Sequence, residues 1–432
     1  MSAPGSGSAR ALERAREEDF HREVQASLPR NYAAHLAHGL LGQTGFRLIH
    51  APTFVPDYLF ALSGSELAVG LGRALQSLGM FLSPVLGAAV IEHRRRVLPV
   101  GFLVGGLMRV QLLGIGLAGL LLPAREALVA TWLFLLLFGF FLGIQGVVFS
   151  FLVSKVIPVG RRGMLLGIRN ALSGVTAAAV GTLGGVLVAR EVLGSGHAAT
   201  FLLAFALTTV GLGMLLFVRE PAAPTVRRSS PLLPRLRELP ALLRGDPGYR
   251  RYVLGRALGT AGRMAMPFYI LHAATRIEIG GRELGLLTAA FVLAQSVGNL
   301  FWGLAADRRG FRFTIALALA VWIGAGFLLL AGRGFGPVFA AYLGLGAGVG
   351  GFQMSAQNLV LEFGARPDLP MRIAVASSVA ELAGALAPLA GGVLATASGY
   401  PAAIVAAAGC QILGLLTILL GVDEPRRRPV RG

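Results

Sequence analysis

Apolar runs of roughly 20 residues recur along this chain from Asn31 almost to its end. At about 1.5 Å rise per residue, each run is long enough to cross a hydrocarbon core about 30 Å thick as a helix. Of the 432 residues, 55% are hydrophobic and 14% are charged, and the mean hydropathy is +0.69. A water-soluble domain is far more polar, and a membrane β-barrel needs short alternating segments. The sequence therefore predicts an all-α integral membrane protein.

We predict twelve transmembrane helices in two groups of six. The longest polar interruption, 219–250, is rich in proline and arginine and is typical of a linker between halves. The predicted parts are an N-terminal segment 1–30, a first bundle 31–218, the linker 219–250, a second bundle 251–421 and a tail 422–432. The predicted spans are 33–55, 66–90, 97–122, 127–152, 164–189, 198–218, 251–272, 284–306, 312–331, 336–361, 372–397 and 401–421.

Arginine positions predict the orientation of the helices. Clusters of arginine fall in the N-terminal segment, in every second loop, in the linker and in the tail, whereas the other loops pair arginine with acids. Because Lys and Arg are retained on the cytoplasmic side during insertion, we expect a multi-pass protein of a bacterial-type inner membrane with both termini cytoplasmic. Topology also explains the formal charge of +18, so we expect no nucleic-acid partner.

Several chemistries are excluded by what the sequence lacks. The single cysteine, Cys410, permits neither an intramolecular disulfide nor a cysteine metal cluster. The glycine-rich stretches lie in predicted spans and none ends in Gly-Lys-Ser or Gly-Lys-Thr, which disfavours a nucleotide loop. We therefore expect no cofactor, no bound metal and no enzymatic activity.

One loop occurs in both halves. Gly87 to Arg96 follows the second span and Gly303 to Arg312 follows the eighth, and each has a glycine, an acid a few residues later and a basic turn. A weaker correspondence matches Gly143–Gly146 to Gly348–Gly351. Internal duplication is common in transporters, where the solute site lies between the halves near the midplane.

The stretch Gly303 to Arg312 resembles the loop signature of the major facilitator superfamily: Gly, three residues, Asp-Arg, one residue, Gly and a basic end. The resemblance implies two pseudo-symmetric six-helix bundles and secondary transport by alternating access. It also implies a charge relay that latches the outward-open state, with a simple topology anchor as the alternative. The implied latch residues are Asp307, Arg308 and Arg312, with Glu92, Arg94 and Arg96 as a first-half copy.

Two departures from the superfamily's proton-driven drug exporters narrow this expectation. Those exporters have an arginine three residues before a Gln-Gly pair in the fourth span, but here Leu142 precedes Gln145-Gly146. The Gly-Pro signature of their fifth span is also incomplete, because Gly181 to Gly185 lacks the proline. Proton-linked efflux of a drug or metabolite remains an alternative function. A further alternative is a non-transporting sensor or assembly factor on the same fold.

Charged residues in the spans are the candidates for function, since each costs at least ~2.5 kcal/mol at the bilayer centre. His35, Gly39, Gln43 and Arg47 are spaced by four and form one polar stripe on the first span. Amides in spans 8 and 10 repeat at the same spacing, and they serve equally well for packing. We predict that Arg109 is structural. The predicted solute-binding residues are Gln43, Arg47, Arg73, Gln76, Arg263, Gln295, Asn299, Gln353 and Gln357.

Glu381 is the one deep acid among these arginines. An apolar environment favours its neutral form, which suits a proton carrier, whereas pairing with Arg47, Arg73 or Arg263 would hold it charged. Both roles stay open. Because buried guanidinium groups bind carboxylate and phosphate, the arginine excess favours an anionic or strongly polar solute. The expected partners are a small-molecule solute, the lipid bilayer and, if transport is coupled, protons; we expect a monomer.

Overall fold

The computed structural model describes residues 6–91, 93–223, 243–363 and 369–422, in which helices are joined by short turns and no strand occurs. The helices of the N-terminal half are α1 (Ser6–His50), α2 (Phe54–Ser63), α3 (Glu66–Ile91), α4 (Leu98–Leu121), α5 (Ala124–Val156), α6 (Val159–Ala189) and α7 (Gly196–Met214). Those of the C-terminal half are α8 (Pro247–Ala261), α9 (Tyr269–Ala274), α10 (Gly281–Arg309), α11 (Phe311–Ala331), α12 (Phe335–Leu359), α13 (Leu369–Ser398) and α14 (Tyr400–Gly421).

Ten of the described helices, α3–α7 and α10–α14, are long and apolar enough to cross a membrane. The other two spans, the first of each half, are interrupted: α1 and α2 form one, and α8 and α9 form the other. Five continuous spans and one interrupted span in each half give the predicted twelve-helix architecture, which is confirmed.

The interruptions correct two of the predicted spans. Pro52 lies between α1 and α2, and Pro267 lies in the two 3-10 turns that join α8 to α9. Proline has no N–H to donate and its ring clashes with the carbonyl four residues earlier, so the α-helical ladder stops. The predictions of continuous helices over 33–55 and 251–272 are therefore wrong at these points.

The first helix also begins earlier than predicted. α1 begins at Ser6, so the described part of the predicted polar segment 1–30 is helical. Its many Ala, Arg, Glu and Leu residues are strong helix formers, which explains the extension without any apolar run. Of the predicted linker, 219–223 and 243–250 are described, and the bounds of the two bundles stay a prediction.

Both halves have their chain ends at one end of the bundle, which we call the termini end. Arg30 Nε donates to the Phe217 carbonyl at 2.6 Å, which joins the first span to the end of the sixth. In the other half, Arg251 Nη1 donates to the Gly421 carbonyl at 3.2 Å and joins α8 to the end of α14.

A buried ion pair closes the termini end of the N-terminal half. Lys155 Nζ lies 2.7 Å from Glu220 Oε1, and the two side chains are 5% and 2% exposed. Glu220 also accepts hydrogen bonds from the backbone N–H groups of Val97 and Leu98, at 2.8–3.0 Å. A carboxylate at the first turn of α4 satisfies N–H groups that have no partner within the helix.

The halves meet most closely at the opposite, distal end. There α3 packs antiparallel to α13, and α6 packs antiparallel to α10: Gly181 meets Thr288, and Gly185 meets Gly281. A Cβ on Gly281 would lie 2.1 Å from the carbonyl oxygen of Gly185, so these two backbones touch. Tyr400 Oη lies 3.1 Å from Glu66 Oε1, linking the ends of the other helix pair. The distal end is therefore closed by backbone contacts that only glycine permits.

Candidate functional site

The predicted stripe on α1 faces α6 at mid-span. Gln43 lies between Ser173 and Arg169: with its amide oriented to satisfy both, it donates to Ser173 Oγ at 3.0 Å. Its oxygen then accepts from Nη1 and Nη2 of Arg169 at 2.8 and 3.1 Å. About one turn after Ser173 on α6, the hydroxyl group of Thr176 lies 3.0 Å from that of Thr44 on α1. The polar side of α1 is thus matched to a polar side of α6.

Arg169 is a candidate site residue that the sequence interpretation missed. Its side chain is 6% exposed, and its guanidinium lies over the Phe149 ring, 4.3 Å from the centroid. Nη2 lies 3.4 Å from His38 Nδ1, and Nε is buried without an acceptor among the described residues. A Cβ on Gly39 would lie 2.1 Å from Cγ of Arg169, so this glycine provides the groove in which the arginine lies.

Arg47 connects the two halves at the midplane. Its Nη1 donates to Ser296 Oγ on α10 at 2.6 Å, and its Nη2 reaches the Asn170 carbonyl on α6 at 3.5 Å. Arg47 and Arg169 lie within electrostatic range of each other. Among the described residues, no carboxylate forms an ion pair with either guanidinium. Two positive charges thus lie together at mid-span with only neutral acceptors.

Arg73 holds the interruption of the first span. Its guanidinium donates to the carbonyls of Ile49 and Ala51 at 3.0 and 2.8 Å, and to Gln76 Oε1 at 3.0 Å. These carbonyls lose their usual partners where α1 ends, so Arg73 replaces missing helical hydrogen bonds. A solute-binding role for Arg73 and Gln76 stays a prediction.

Glu381 pairs with Arg263, one of its three predicted partners. Arg263 lies in the interruption between α8 and α9, and its Nη1 lies 3.1 Å from Glu381 Oε2 on α13. His50 at the end of α1 is exposed, yet it lies within electrostatic range of this pair and of Arg73. Proton coupling through Glu381 stays a prediction.

The four predicted amide residues lie on two neighbouring helices, Gln295 and Asn299 on α10 and Gln353 and Gln357 on α12. A Cβ on Gly350 would meet the Gln295 side chain at 3.0 Å and Asn299 Oδ1 at 3.3 Å, so α12 packs directly on these two amides. Asn299 Oδ1 is buried and has no hydrogen-bond partner among the described residues. Gln353 is half-buried and Gln357 is exposed. The solute-binding role of these four amides stays a prediction.

The predicted latch lies partly outside the described residues. Glu92 and the side chain of Asp307 are not described. Arg312 donates to the Leu419 carbonyl within its own half. No hydrogen bond described for the four latch arginines crosses to the other half, and the latch stays a prediction. The exposed arginines of the set are Arg94, Arg96 and Arg308.

Arg109 makes structural contacts inside the N-terminal half, where its guanidinium lies over the Phe46 ring, 5.2 Å from the centroid. Its side chain is 2% exposed, and it donates to the carbonyls of Thr208 and Gly105 at 2.6 Å each. It therefore ties α4 to α7 inside the N-terminal half, as the structural interpretation of Arg109 predicts.

Comparison with known proteins places this arrangement in a known fold. The family model described as Major Facilitator Superfamily matches residues 252–432. The chain is also similar to the crystal structure of a D-xylose–proton symporter, with a TM-score of 0.72 and 13% identity over 93% of this chain and 100% of that one. The protein has the fold of the major facilitator superfamily. The resemblance found at Gly303 to Arg312 is confirmed.

Two further solved structures agree in fold. The nucleoside transporter NupG aligns with a TM-score of 0.66 and 13% identity, over 92% of this chain and 100% of that chain. A point mutant of the same transporter aligns with a TM-score of 0.71 and 15% identity, over 90% of this chain and 100% of that chain. No curated protein sequence matches this chain. At these identities, the likenesses show the fold, and function must be argued from the site.

Proposed function

We propose that this protein is a secondary active transporter, and not an enzyme, that moves a small anionic or strongly polar organic solute by alternating access. The observation that carries the proposal is the charge at mid-span. Arg47 bonds to Ser296 of the other half, and Arg169 lies beside it in the N-terminal half. Arg263 lies in the C-terminal half and pairs with Glu381, the one described carboxylate among these arginines. Guanidinium groups stay charged at any accessible pH, so an anion is the solute that this site is built to receive.

Glu381 is the proposed coupling group. Its carboxylate forms an ion pair with Arg263 at 3.1 Å. A solute anion that binds Arg263 competes with this pair and releases the carboxylate, which is the group proposed to carry the proton. In this scheme the anion and the proton enter the site together, and the net charge of the site changes little during transport.

The proposed orientation places the termini end in the cytoplasm of a cell with an inner membrane, with a monomer as the transport unit. Three short loops at the termini end, 92–96, 155–162 and 307–312, carry nine Arg or Lys residues and two acids. The distal end carries five arginines and six acids, so it has no positive excess. These distal charges are Arg125, Arg190, Arg276, Arg282, Arg333, Asp57, Glu66, Glu126, Glu191, Glu278 and Glu283.

The proposal is tested by uptake into proteoliposomes, with a panel of organic anions, sugars and cationic dyes. We expect at least one organic anion to accumulate, and we expect Arg47→Gln to abolish its uptake without preventing membrane insertion. The exposed Arg125→Gln is the control, because Arg125 lies in the first turn of α5 at the distal end and belongs to neither the predicted site nor the predicted latch. Uptake of cationic dyes alone would support an efflux pump instead. Folded protein that moves no solute would contradict the proposal.

A further inference from the structure

We infer that Arg169 on α6 and Arg47 on α1 together form an oxyanion site on the N-terminal half, which receives the carboxylate or phosphate group of the solute. The inference rests on the proposed function and adds to it the place where the solute's charged group binds. It starts from a guanidinium group that is 6% exposed and whose Nε has no acceptor among the described residues.

The charge of this pair is not neutralised by its described surroundings. Arg169 contacts an amide, an imidazole and an aromatic ring, and Arg47 contacts a hydroxyl and a backbone carbonyl. A buried charge without an opposite charge is costly, and two like charges in electrostatic range add to that cost. An oxyanion between the two guanidinium groups removes both penalties, which is a strong source of binding free energy.

The amide of Gln43 occupies the position in front of the Arg169 guanidinium, where an oxyanion would bind more strongly. Its single amide oxygen accepts from both Nη atoms of Arg169, at 2.8 and 3.1 Å. A carboxylate or phosphate has two charged oxygens whose separation matches that of the two guanidinium N–H groups, so it can accept two parallel hydrogen bonds. Hydrogen bonds between charged groups are about twice as strong as those between neutral groups. The Gln43 amide is therefore a neutral substitute that an arriving anion displaces, while Ser173 keeps a hydrogen bond to Gln43.

Anion binding at this site also acts on the contact between the halves. Arg47 Nη1 donates to Ser296 Oγ on α10, and Gly174 lets Ser296 approach α6, because a Cβ there would lie 2.3 Å from the same Oγ. An anion that takes the Nη groups of Arg47 competes with Ser296. Solute binding thus weakens a polar contact across the interface along which the halves rock.

The test measures anion binding directly, in full-length protein in detergent. Thermal unfolding is followed with inorganic phosphate, succinate or glucose at matched ionic strength. We expect phosphate or succinate to raise the Tm of the wild type and glucose to leave it unchanged. In Arg169→Gln we expect the apparent Kd for that anion to rise about 10- to 150-fold, as for the loss of a hydrogen bond to a charged group. Arg256→Gln, a buried arginine of α8, is the control.

A second variant keeps the charge and moves the side chain. Gly39→Ala places a Cβ 2.1 Å from Cγ of Arg169, so the arginine must leave its groove. We expect it to weaken anion binding as Arg169→Gln does, and it decides the test if Arg169→Gln fails to fold. Gly167→Ala on α6, where a Cβ meets no atom within 4 Å, should bind the anion normally.

The outcomes separate this inference from the proposed function. If neither anion binds the wild type, or if the folded variants bind it with unchanged affinity, the site is wrong. If the wild type transports an anion and folded Arg169→Gln transports it equally well, the site fails and the proposed function stands. If Arg169-dependent binding occurs in protein that moves no solute, the site is supported and the proposed function fails.

Discussion

The closed distal end depends on the contact between Gly281 and Gly185, so the substitution Gly281→Ala should open it. The added Cβ would lie 2.1 Å from the Gly185 carbonyl oxygen and 2.4 Å from the Ala189 nitrogen. Both are backbone atoms, so no side chain can rotate away. Because carbon and oxygen approach to about 3.3 Å, α6 and α10 must separate locally by about 1 Å.

The added methyl group raises the free energy of the distal-closed conformation only. Inserting a methyl group into a packed contact typically costs about 1–3 kcal/mol. A conformation in which the distal ends are apart does not contain the contact and escapes the cost. The ratio of distal-open to distal-closed molecules should therefore rise about 5- to 150-fold.

The populations can be measured by double electron–electron resonance. Spin labels on Arg125→Cys and Arg333→Cys, two exposed positions at the distal ends of opposite halves, report the distal separation in a Cys410→Ser background. We expect Gly281→Ala to add or enlarge a population at longer distance. Gly324→Ala, whose Cβ meets no atom within 4 Å, should match the wild type. Identical distributions in the two variants would refute the argument.

Three other substitutions test separate contacts. Glu220→Gln leaves Lys155 buried without its partner at 2.7 Å, so we expect a loss of about 3–5 kcal/mol in unfolding free energy; an unchanged thermal unfolding curve in detergent would contradict this. Arg73→Gln removes two bonds to carbonyls at the end of α1, and we expect a loss of about 1–3 kcal/mol in the same assay. Glu381→Gln removes the group paired with Arg263, so anion uptake should no longer respond to an imposed pH gradient; an unchanged response would exclude Glu381 from the proton path.

Twelve helices and two halves follow from sequence alone because a bilayer imposes one length and one polarity on every span. The same constraint hides the interruptions. Proline is tolerated within transmembrane helices when neighbours satisfy the freed backbone groups. At Pro52 the guanidinium of Arg73 does so, from a different helix. Whether a proline bends or ends a span is therefore decided by tertiary contacts that the local sequence does not contain.

The site was predictable where polar residues lie deep in an apolar run, as Arg47 and Glu381 do. Arg169 was missed because its Cα lies only about 8 Å inside a span that begins at Met164, so it was not counted among the deep charges. The spacing of Arg169, Ser173 and Thr176 by four and three was the signal available, since it forms one polar side of a helix. The choice of Arg263 as the partner of Glu381 required the packing of the helices.

Solute counterflow tests the central claim most directly, because it requires alternating access to both sides and no driving gradient. Proteoliposomes are loaded with an unlabelled organic anion from the uptake panel and diluted into a trace of the labelled anion. The account predicts a transient accumulation of label above equilibrium in the wild type and in Gly167→Ala, and none in Arg47→Gln. Label that only equilibrates in folded wild-type protein, with no transient accumulation, would contradict a carrier with its anion site between the two halves.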